Sequence, residues 1–509
     1  MLSVVNSFGL NGIDGYMVKV EIDISKGLPG FDIVGLVGTA IKESKERVKS
    51  AIKNSALVYP ASKITVNLAP ADTKKDGPIY DLPIAIGILK AFNQIKESIK
   101  DFIILGELGL DGTIKKINGV MPILIAARLK GYKNFILPKE NMLEASFIEG
   151  ITVYGVDTLR EVVDFLNKEI TITPVEYKEY KDIVNDYKLK HDFKFVKGQE
   201  KAKRALEIAA AGGHNVIMIG PPGSGKTMLA KAFPTILPTL SFEEALEVTK
   251  IHSIAGTLDS KEGIITRRPF RAPHHTATTL SLTGGGRLAK PGEISLAHTG
   301  VLFLDEMPEY GRNTIETLRQ PLEDGVITIS RVETSVEYPA RFTLIGSMNP
   351  CPCGNYGSAK LECKCTPQQI RKYLNKLSGP IMDRIDMHIE VDSIEYTKLV
   401  NTDEGESSAD IKNRVDKARS VQLNRFKNSG IYNNAEMGDS EVKKHCVVSQ
   451  ASAEMLKFAF EKLNLSARAY NRILKVARTI ADLDGEENIT DDAIMEAISY
   501  RTLDNKYWD

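Results

Sequence analysis

Asn215–Thr227 reads NVIMIGPPGSGKT: an apolar run, a glycine-rich loop and a Lys-Thr pair, followed by the helix-like TMLAKAF. Gly220, Pro221, Pro222, Gly223, Ser224, Gly225, Lys226 and Thr227 complete the G-x-x-x-x-G-K-[ST] pattern between a strand and a helix, the context it requires. Glycines in such a loop let backbone N–H groups curl around phosphate oxygens, and the helix that follows adds its positive end. Lys226 then brings a point charge to the β- and γ-phosphates of ATP, and the Thr227 hydroxyl ligates Mg²⁺. The competing reading, a turn that only joins strand to helix, leaves the complete motif unexplained.

Outward from this loop, the strands GVLFLDE and ARFTLIGSMN alternate with helical patterns up to about residue 395, which predicts a parallel α/β sheet. Asp305 and Glu306 follow Val301–Leu304 and so stand at the carboxyl end of a buried strand, where open α/β sheets bind ligands. Asp305 is expected to hold Mg²⁺, and Glu306 to orient and deprotonate a water. Alone, such a strand end is more often just a strand reaching solvent; beside the phosphate loop it reads as catalytic. Asn349 closes FTLIGSMN, where a neutral amide holds water against the γ-phosphate, unless it is a turn-forming Asn before Pro350. Phosphoryl transfer also calls for a further cation, for which Arg384 in SGPIMDRIDMHIEV and Arg468 in SARAYNR are the candidates. The bland reading is a surface arginine paired with a carboxylate such as Asp383 or Asp386.

The remainder divides by pattern. Residues 1–170 alternate β-like and helical runs and form an α/β domain of their own; 171–192, rich in charge, Lys and Tyr, reads as a linker. The ATPase domain spans 193–395, and 396–509 is helical throughout. The 509 residues, 42% apolar and 26% charged, suit about three compact domains. Lys+Arg and Asp+Glu both total 66, so any nucleic-acid contact has to come from a local basic patch. MLSVVNSFGLNGIDG lacks a basic segment before an apolar core, and no run of about 18 apolar residues occurs. No membrane partner and a cytoplasmic location are therefore expected.

Four of the five cysteines fall within 351–365. Cys351, Cys353, Cys363 and Cys365 offer enough thiolates for a closed tetrahedral Zn²⁺ site, although both pairs are C-x-C rather than the commoner C-x-x-C; reduced or redox-active thiols are the alternative. The 78-residue spacing from Thr227 to Asp305 exceeds what one helix and one strand need, so an insertion is expected, best placed at 263–299. It carries Arg267, Arg268, Arg271, His274, His275, Arg287 and Lys290, with Gly284 to Gly286 as a pivot. A second candidate loop is the hairpin-like VITISRVETSVEYPARFTLIG, with its turn near Arg331 to Thr334. Cations on loops hung from catalytic strands would grip DNA phosphates without reading sequence; a solvated face or subunit contact is the competing reading.

GPPGSGKT, VLFLDE, Asn349, Arg384 and Arg468 together resemble the Walker A, Walker B, sensor 1, trans arginine finger and sensor 2 of an AAA+ ATPase. More narrowly, KGQEKAKRALEIAAAGGHN, FRAPHHTATTLSLTGGG, PGEISLAHTGVLFLDE, QPLEDGVITISR, MNPCPCG and SGPIMDRIDMHIEV resemble the YifB/ComM family of magnesium-chelatase-like ATPases over essentially the whole chain. The resemblance implies an AAA+ P-loop parallel-sheet domain, a C-terminal all-α lid and a homo-hexameric ring. It also implies an ATP-driven helicase on single-stranded or branched DNA, promoting branch migration in recombination and natural transformation. A chelatase-like or protein-remodelling motor is the rival reading. The first 170 residues resemble the Lon protease domain at KKDGPIYDLPIAIGIL and GELGLDGTIKKINGV. Where that pattern has its serine this chain has Ile79, so with Lys115 or Lys116 near by there is still no nucleophile, and an inactive domain is expected.

Overall fold

The computed structural model describes residues 1–183, 191–259, 261–286, 289–330, 335–357, 361–393, 405–463, 465–503 and 507. The N-terminal domain is built on strands β1 (Leu2–Asn11), β2 (Asp14–Ser25), β3 (Gly30–Val34), β4 (Lys63–Ala69) and β5 (Phe102–Ile104), a short ribbon of β6 (Glu107–Leu108) with β7 (Ile114–Lys115), then β8 (Asn134–Pro138) and β9 (Thr152–Val156). Its seven-stranded sheet runs β3-β4-β2-β1-β5-β8-β9. The sheet is mixed: β1 is antiparallel to β2, and β5, β8 and β9 are parallel. Helix Asp81–Ala91 is buried almost all round, which explains why its sequence, DLPIAIGILKA, shows no polar face. Ile79 lies just ahead of it and packs into the apolar clusters on both sides. Lys115 is exposed, whereas the Lys116 ammonium donates to Leu258 O at 3.1 Å in the next domain.

The second domain holds β10 (Val216–Ile219), β11 (Phe270–Arg271), the small hairpin β12 (Gly284–Gly285) with β13 (Lys290–Pro291), β14 (Val301–Leu304), the hairpin β15 (Val326–Ser330) with β16 (Ser335–Pro339), β17 (Thr343–Met348) and β18 (Met387–Glu390). Five of them form a parallel sheet in the order β11-β14-β17-β10-β18. Every residue of β10, β14 and β17 is buried; coverage on both faces is why these strands read as unbroken apolar runs. The C-terminal region is helical as its pattern predicts, with helices Ser408–Arg425, Gln450–Lys462, Ala467–Asp484 and Asp491–Ser499. Among the described residues its apolar side chains form no separate cluster. Ile411, Val415, Ile473 and Ile480 share one cluster with Ala205, Leu206 and Phe233 of the sheet domain, so the helical lid is laid directly on helix Glu200–Gly212.

The N-terminal domain grips the second one along helix Phe242–Ala255. Gly119 N donates to Ser253 O at 3.1 Å, and the buried Glu144 carboxylate accepts from Met121 N and from the Ser253 hydroxyl. Burial raises the Glu144 pKa above the usual carboxylate range, opposed by those hydrogen bonds. Phe147, Leu240, Ala245 and Ile264 close an apolar cluster across the boundary. As far as Ile183, the segment expected to be a linker lies against both domains: Val175 N donates to Val153 O at 2.9 Å, and Tyr180 donates to Leu240 O at 3.2 Å and rings against Phe242. Residues 184–190 lie outside the described residues. No described helix is long and apolar enough to cross a membrane.

Candidate nucleotide site and metal centre

The parallel sheet brings three strand ends to one point. The loop after β10 turns through Gly223 and Gly225, both at positive φ, and delivers Lys226 to the first turn of helix Lys226–Ala232. Its ammonium donates to Gly220 O at 2.6 Å and Pro221 O at 2.8 Å, and lies 3.4 Å from both Ser224 Oγ and Asn349 Oδ1. Burial lowers the Lys226 pKa to about 8, with Asp305 and Glu306 pulling the other way. Thr227 Oγ1 donates to Asp305 Oδ2 at 3.0 Å. This hydroxyl–carboxylate pair at the tip of β14 is a set of hard oxygen donors that suits Mg²⁺.

Ser347 was not singled out in the sequence, although it shares a face of β17 with Asn349 by the period-2 rule. Its hydroxyl donates to Asp305 Oδ1, and Glu306 N–H points at the same pair, 3.1 Å from Asp305 Oδ1 and 3.3 Å from Ser347 Oγ. Glu306 itself sits in the left-handed region, φ 51° and ψ 47°. A non-glycine residue there costs about 1–3 kcal/mol and persists where the surroundings impose it. Here those two hydrogen bonds hold the backbone, and the carboxylate is turned out, half exposed, to meet His275 Nδ1 at 3.5 Å. A polar residue in the otherwise apolar run TLIGSM was the available sign of Ser347; nothing in the string FRAPHH marks His275 as the partner of Glu306.

Arg384 and Arg468 meet each other's counter-ion, not the phosphate loop. Arg384 Nη2 pairs with Glu323 Oε2 and its Nη1 donates to Pro380 O at 2.8 Å; Arg468 Nη2 lies 3.6 Å from Glu323 Oε1. The two arginines come from different domains, and Glu323, from QPLEDG, joins them. The Arg384 guanidinium above all, then Arg468 and Arg472, keeps the Glu323 carboxyl below its usual pKa. The bland alternative, Asp386, is taken instead by Arg472.

The cysteine cluster follows Asn349 and Pro350 directly. All four Sγ atoms lie within 4.8 Å of one another, and the closest, Cys351 to Cys353, Cys351 to Cys363 and Cys353 to Cys363, are 3.4, 3.7 and 3.7 Å apart. A tetrahedral Zn–S shell needs about 3.8 Å between sulfurs. Backbone N–H groups already face the sulfurs: Tyr356 N donates to Cys351 Sγ at 3.3 Å, and those of Asn355 and Lys364 draw the Cys353 pKa down to about 6, while burial pushes the Cys365 thiol up to about 12. Four sulfurs this close together fit a soft, thiolate-binding ion by their spacing. The turn also touches the phosphate loop, since a Cβ on Gly354 would come 2.5 Å from Pro222 Cδ.

In the basic insertion, two arginines are ion-paired with acids of the same chain. Arg268 is a half-buried strut: it chelates Glu244 at 3.1 Å to each oxygen and donates to Pro238 O and Thr299 O. Arg271 pairs bidentately with Glu293 at 2.6 and 2.8 Å. Both cations are paired with carboxylates of the same chain, which the count of basic residues did not reveal because Glu244 and Glu293 are distant in sequence. Arg267 also has a partner, and Arg287 lies outside the described residues. Lys290 is exposed on β13. Gly284 is no free pivot either: its φ is +87°, and a Cβ there would meet Lys290 O at 2.3 Å, so glycine is required by the tight β12–β13 pairing. The second expected hairpin is present as β15–β16, its turn 331–334 outside the described residues. Tyr338 on β16 donates to Ala289 O at 2.9 Å, which ties the two hairpins side by side.

Comparison with known proteins agrees in each part of the chain. Models of magnesium chelatase subunit ChlI match residues 192–399 and, for the ChlI C-terminal region, 405–501; a further model, subunit ChlI of Mg-chelatase, matches 20–141. The competence protein ComM of Haemophilus influenzae is 44% identical over 506 residues, 99% of this chain and 98% of its own. This chain belongs to the ComM/YifB family of magnesium-chelatase-like proteins. YifB of Escherichia coli is likewise 44% identical over 505 residues, 99% of this chain and 97% of its own. The magnesium-chelatase 38 kDa subunit of Cereibacter sphaeroides is 25% identical over 174 residues, 31% of this chain and 52% of that subunit. The sheet domain is thus an AAA+ domain of the magnesium-chelatase type, for which ATP and Mg²⁺ are the expected ligands.

Proposed function

We propose that the protein is a Mg²⁺-dependent ATPase that works as a homo-hexameric ring on single-stranded or branched DNA, a helicase promoting branch migration when a strand is recombined during transformation. Lys226 binds the β- and γ-phosphates, exchanging its carbonyl partners for phosphate oxygens. Thr227 and Asp305 would hold Mg²⁺, which when bound neutralises phosphate charge. Glu306 orients the attacking water and takes its proton, and Asn349 fixes that water from the other side. Arg384 and Arg468, held together at Glu323, serve the nucleotide of the neighbouring subunit, where added positive charge stabilises the transferring phosphoryl group. The four cysteines hold one Zn²⁺ that braces the turn between Asn349 and the phosphate loop.

The observation that carries the DNA reading is the pairing of two hairpins through Tyr338 and Ala289, each attached to a strand that ends at the nucleotide site. In sequence, Arg287 and Arg331 fall between the strands of each hairpin, outside the described residues, and the grip is assigned to them and to Lys290 rather than to Arg268 or Arg271. The full-length likeness to a competence protein supports the same reading. The test is the ATPase rate with and without single-stranded and four-way-junction DNA, with migration of a labelled junction followed in parallel. DNA-stimulated turnover with junction migration is expected; turnover indifferent to DNA, with no migration, would favour a protein-remodelling motor of the chelatase kind.

A further inference from the structure

We propose that the N-terminal domain positions the β15–β16 hairpin: the turn between β1 and β2, through Gly12 and Ile13, braces that hairpin at its outer end. A two-stranded hairpin is marginal by itself. Since β15 and β16 form a two-stranded sheet of their own, their place is set by what their apolar face rests on. That face presents Ile329 and Val336, paired across the strands and both buried. Only the Ser330–Ser335 pair stands between them and residues 331–334, which hold Arg331 in sequence and lie outside the described residues. At this end the neighbour is the N-terminal domain. A Cβ on Gly12 would overlap Val336 Cγ1, and Ile13 packs against the apolar cluster that holds Ile327, Val336 and Tyr338.

A brace has to be stiffer than what it supports. β1 and β2 pair without a break from Leu2–Asp23 to Asn11–Asp14, and this long lever is built into the seven-stranded sheet through β4 and β5. Just behind the turn, a Cβ on Gly15 would lie 2.6 Å from Ala126 Cβ, which seats the lever on helix Val120–Leu129. That helix is anchored to helix Phe242–Ala255 of the second domain, where Gly119 N–H meets Ser253 O and Oγ at 3.1 and 3.0 Å. Ile254, the next residue of that helix, packs against the same cluster as Ile13. The hairpin is thus held twice. Tyr338 bonds Ala289 nearer its base, and Gly12 backs Val336 near its tip. A domain with Ile79 where a nucleophile would stand acquires a mechanical task.

The test uses full-length protein and Ile13→Ser. Amide exchange in β15 and β16 should quicken at least about fivefold, the factor that losing one half-buried isoleucine contact supports, while helix Lys226–Ala232 and basal ATP turnover stay at parent values. On the reading of the hairpins as the DNA grip, stimulation of turnover by four-way-junction DNA should fall by a similar factor. A residue that only glued the domains together would loosen helix Phe242–Ala255 equally. Gly12→Cys with Val336→Cys supplies the converse, because a Cβ on Gly12 stands 3.5 Å from Val336 Cβ, within the about 3.5–4.5 Å that a disulfide spans. Formed in the Ile13→Ser chain, this bond should restore slow exchange and DNA stimulation, and reductant should remove both; Gly12→Cys alone, oxidised alike, controls for the native thiols. Unchanged exchange in Ile13→Ser would overturn the proposal. So would equal loosening of helix Phe242–Ala255, or a bond that abolishes stimulation in a chain with Ile13 intact, since the hairpin would then have to move against the N-terminal domain. If Ile13→Ser fails to fold, Ile13→Ala is read by the same measures. If DNA does not stimulate the parent, the motor reading falls, and amide exchange alone decides whether the brace exists.

Discussion

Mixing two inactive variants gives a sharp measure of where the arginines act. Arg384 and Arg468 converge on Glu323, whereas Glu306, Asp305 and Lys226 converge at the other strand ends. In a ring built from head-to-tail contacts, one subunit's Glu306 and its neighbour's Arg384 complete a site. Arg384→Ala alone should lose about 10³-fold or more in turnover, the usual worth of an arginine supplied across an interface. Glu306→Gln alone should bind ATP and stall. In an equimolar mixture with free subunit exchange, a site has an intact Glu306 with probability one half and an intact neighbouring arginine with probability one half. About one quarter of the parent rate should then return, whatever the ring size. Arg468→Ala should complement Glu306→Gln in the same way, because its guanidinium lies at the same carboxylate. The assay is steady-state phosphate release across mixing ratios. If no mixture exceeds the sum of the pure variants, the arginines do not act across the interface; if Arg384→Ala complements and Arg468→Ala does not, their joint role at Glu323 is wrong.

Protein purified without chelator should contain close to one zinc per chain, and a Cys363→Ser, Cys365→Ser variant that retained it would exclude these thiols as ligands. Arg268→Ala should cost about 2–4 kcal/mol of stability, because it leaves the Glu244 carboxylate and two carbonyls without their partner, yet leave the salt dependence of DNA binding unchanged; a flattened salt slope would restore Arg268 as a phosphate contact. Burial holds His214 neutral, its pKa down from 6.5 to about 4, and its Nε2 lies 2.8 Å from Thr479 Oγ1. Between those values the unfolded chain takes up a proton that the folded chain does not, so stability falls as pH falls through that window. His214→Leu should lessen the decline in melting temperature from pH 6.5 to 4, and an unchanged decline would show that His214 does not cause it.

Read alone, the sequence located the nucleotide loop, the acids that follow β14, Asn349 and the cysteine cluster. Each is a local string whose spacing and flanking apolar run carry the chemistry: a parallel strand buried on both faces announces itself, and its carboxyl end is where ligands bind. It also separated the α/β regions from the helical C-terminus, since periodicity is a local property. Partnership across long separations was beyond its reach. Whether an arginine is a free cation depends on a carboxylate brought to it by folding. Arg268 found Glu244 and Arg271 found Glu293, while Arg384 and Arg468 share Glu323. The same holds for Ser347 beside Asp305, His275 beside Glu306 and the lid's core merging with helix Glu200–Gly212. Gly284 shows the limit most plainly. Its sequence reads as freedom, and the fold uses it as the one residue small enough for two backbones to meet, because steric room is set by what packs against a residue and not by the residue alone.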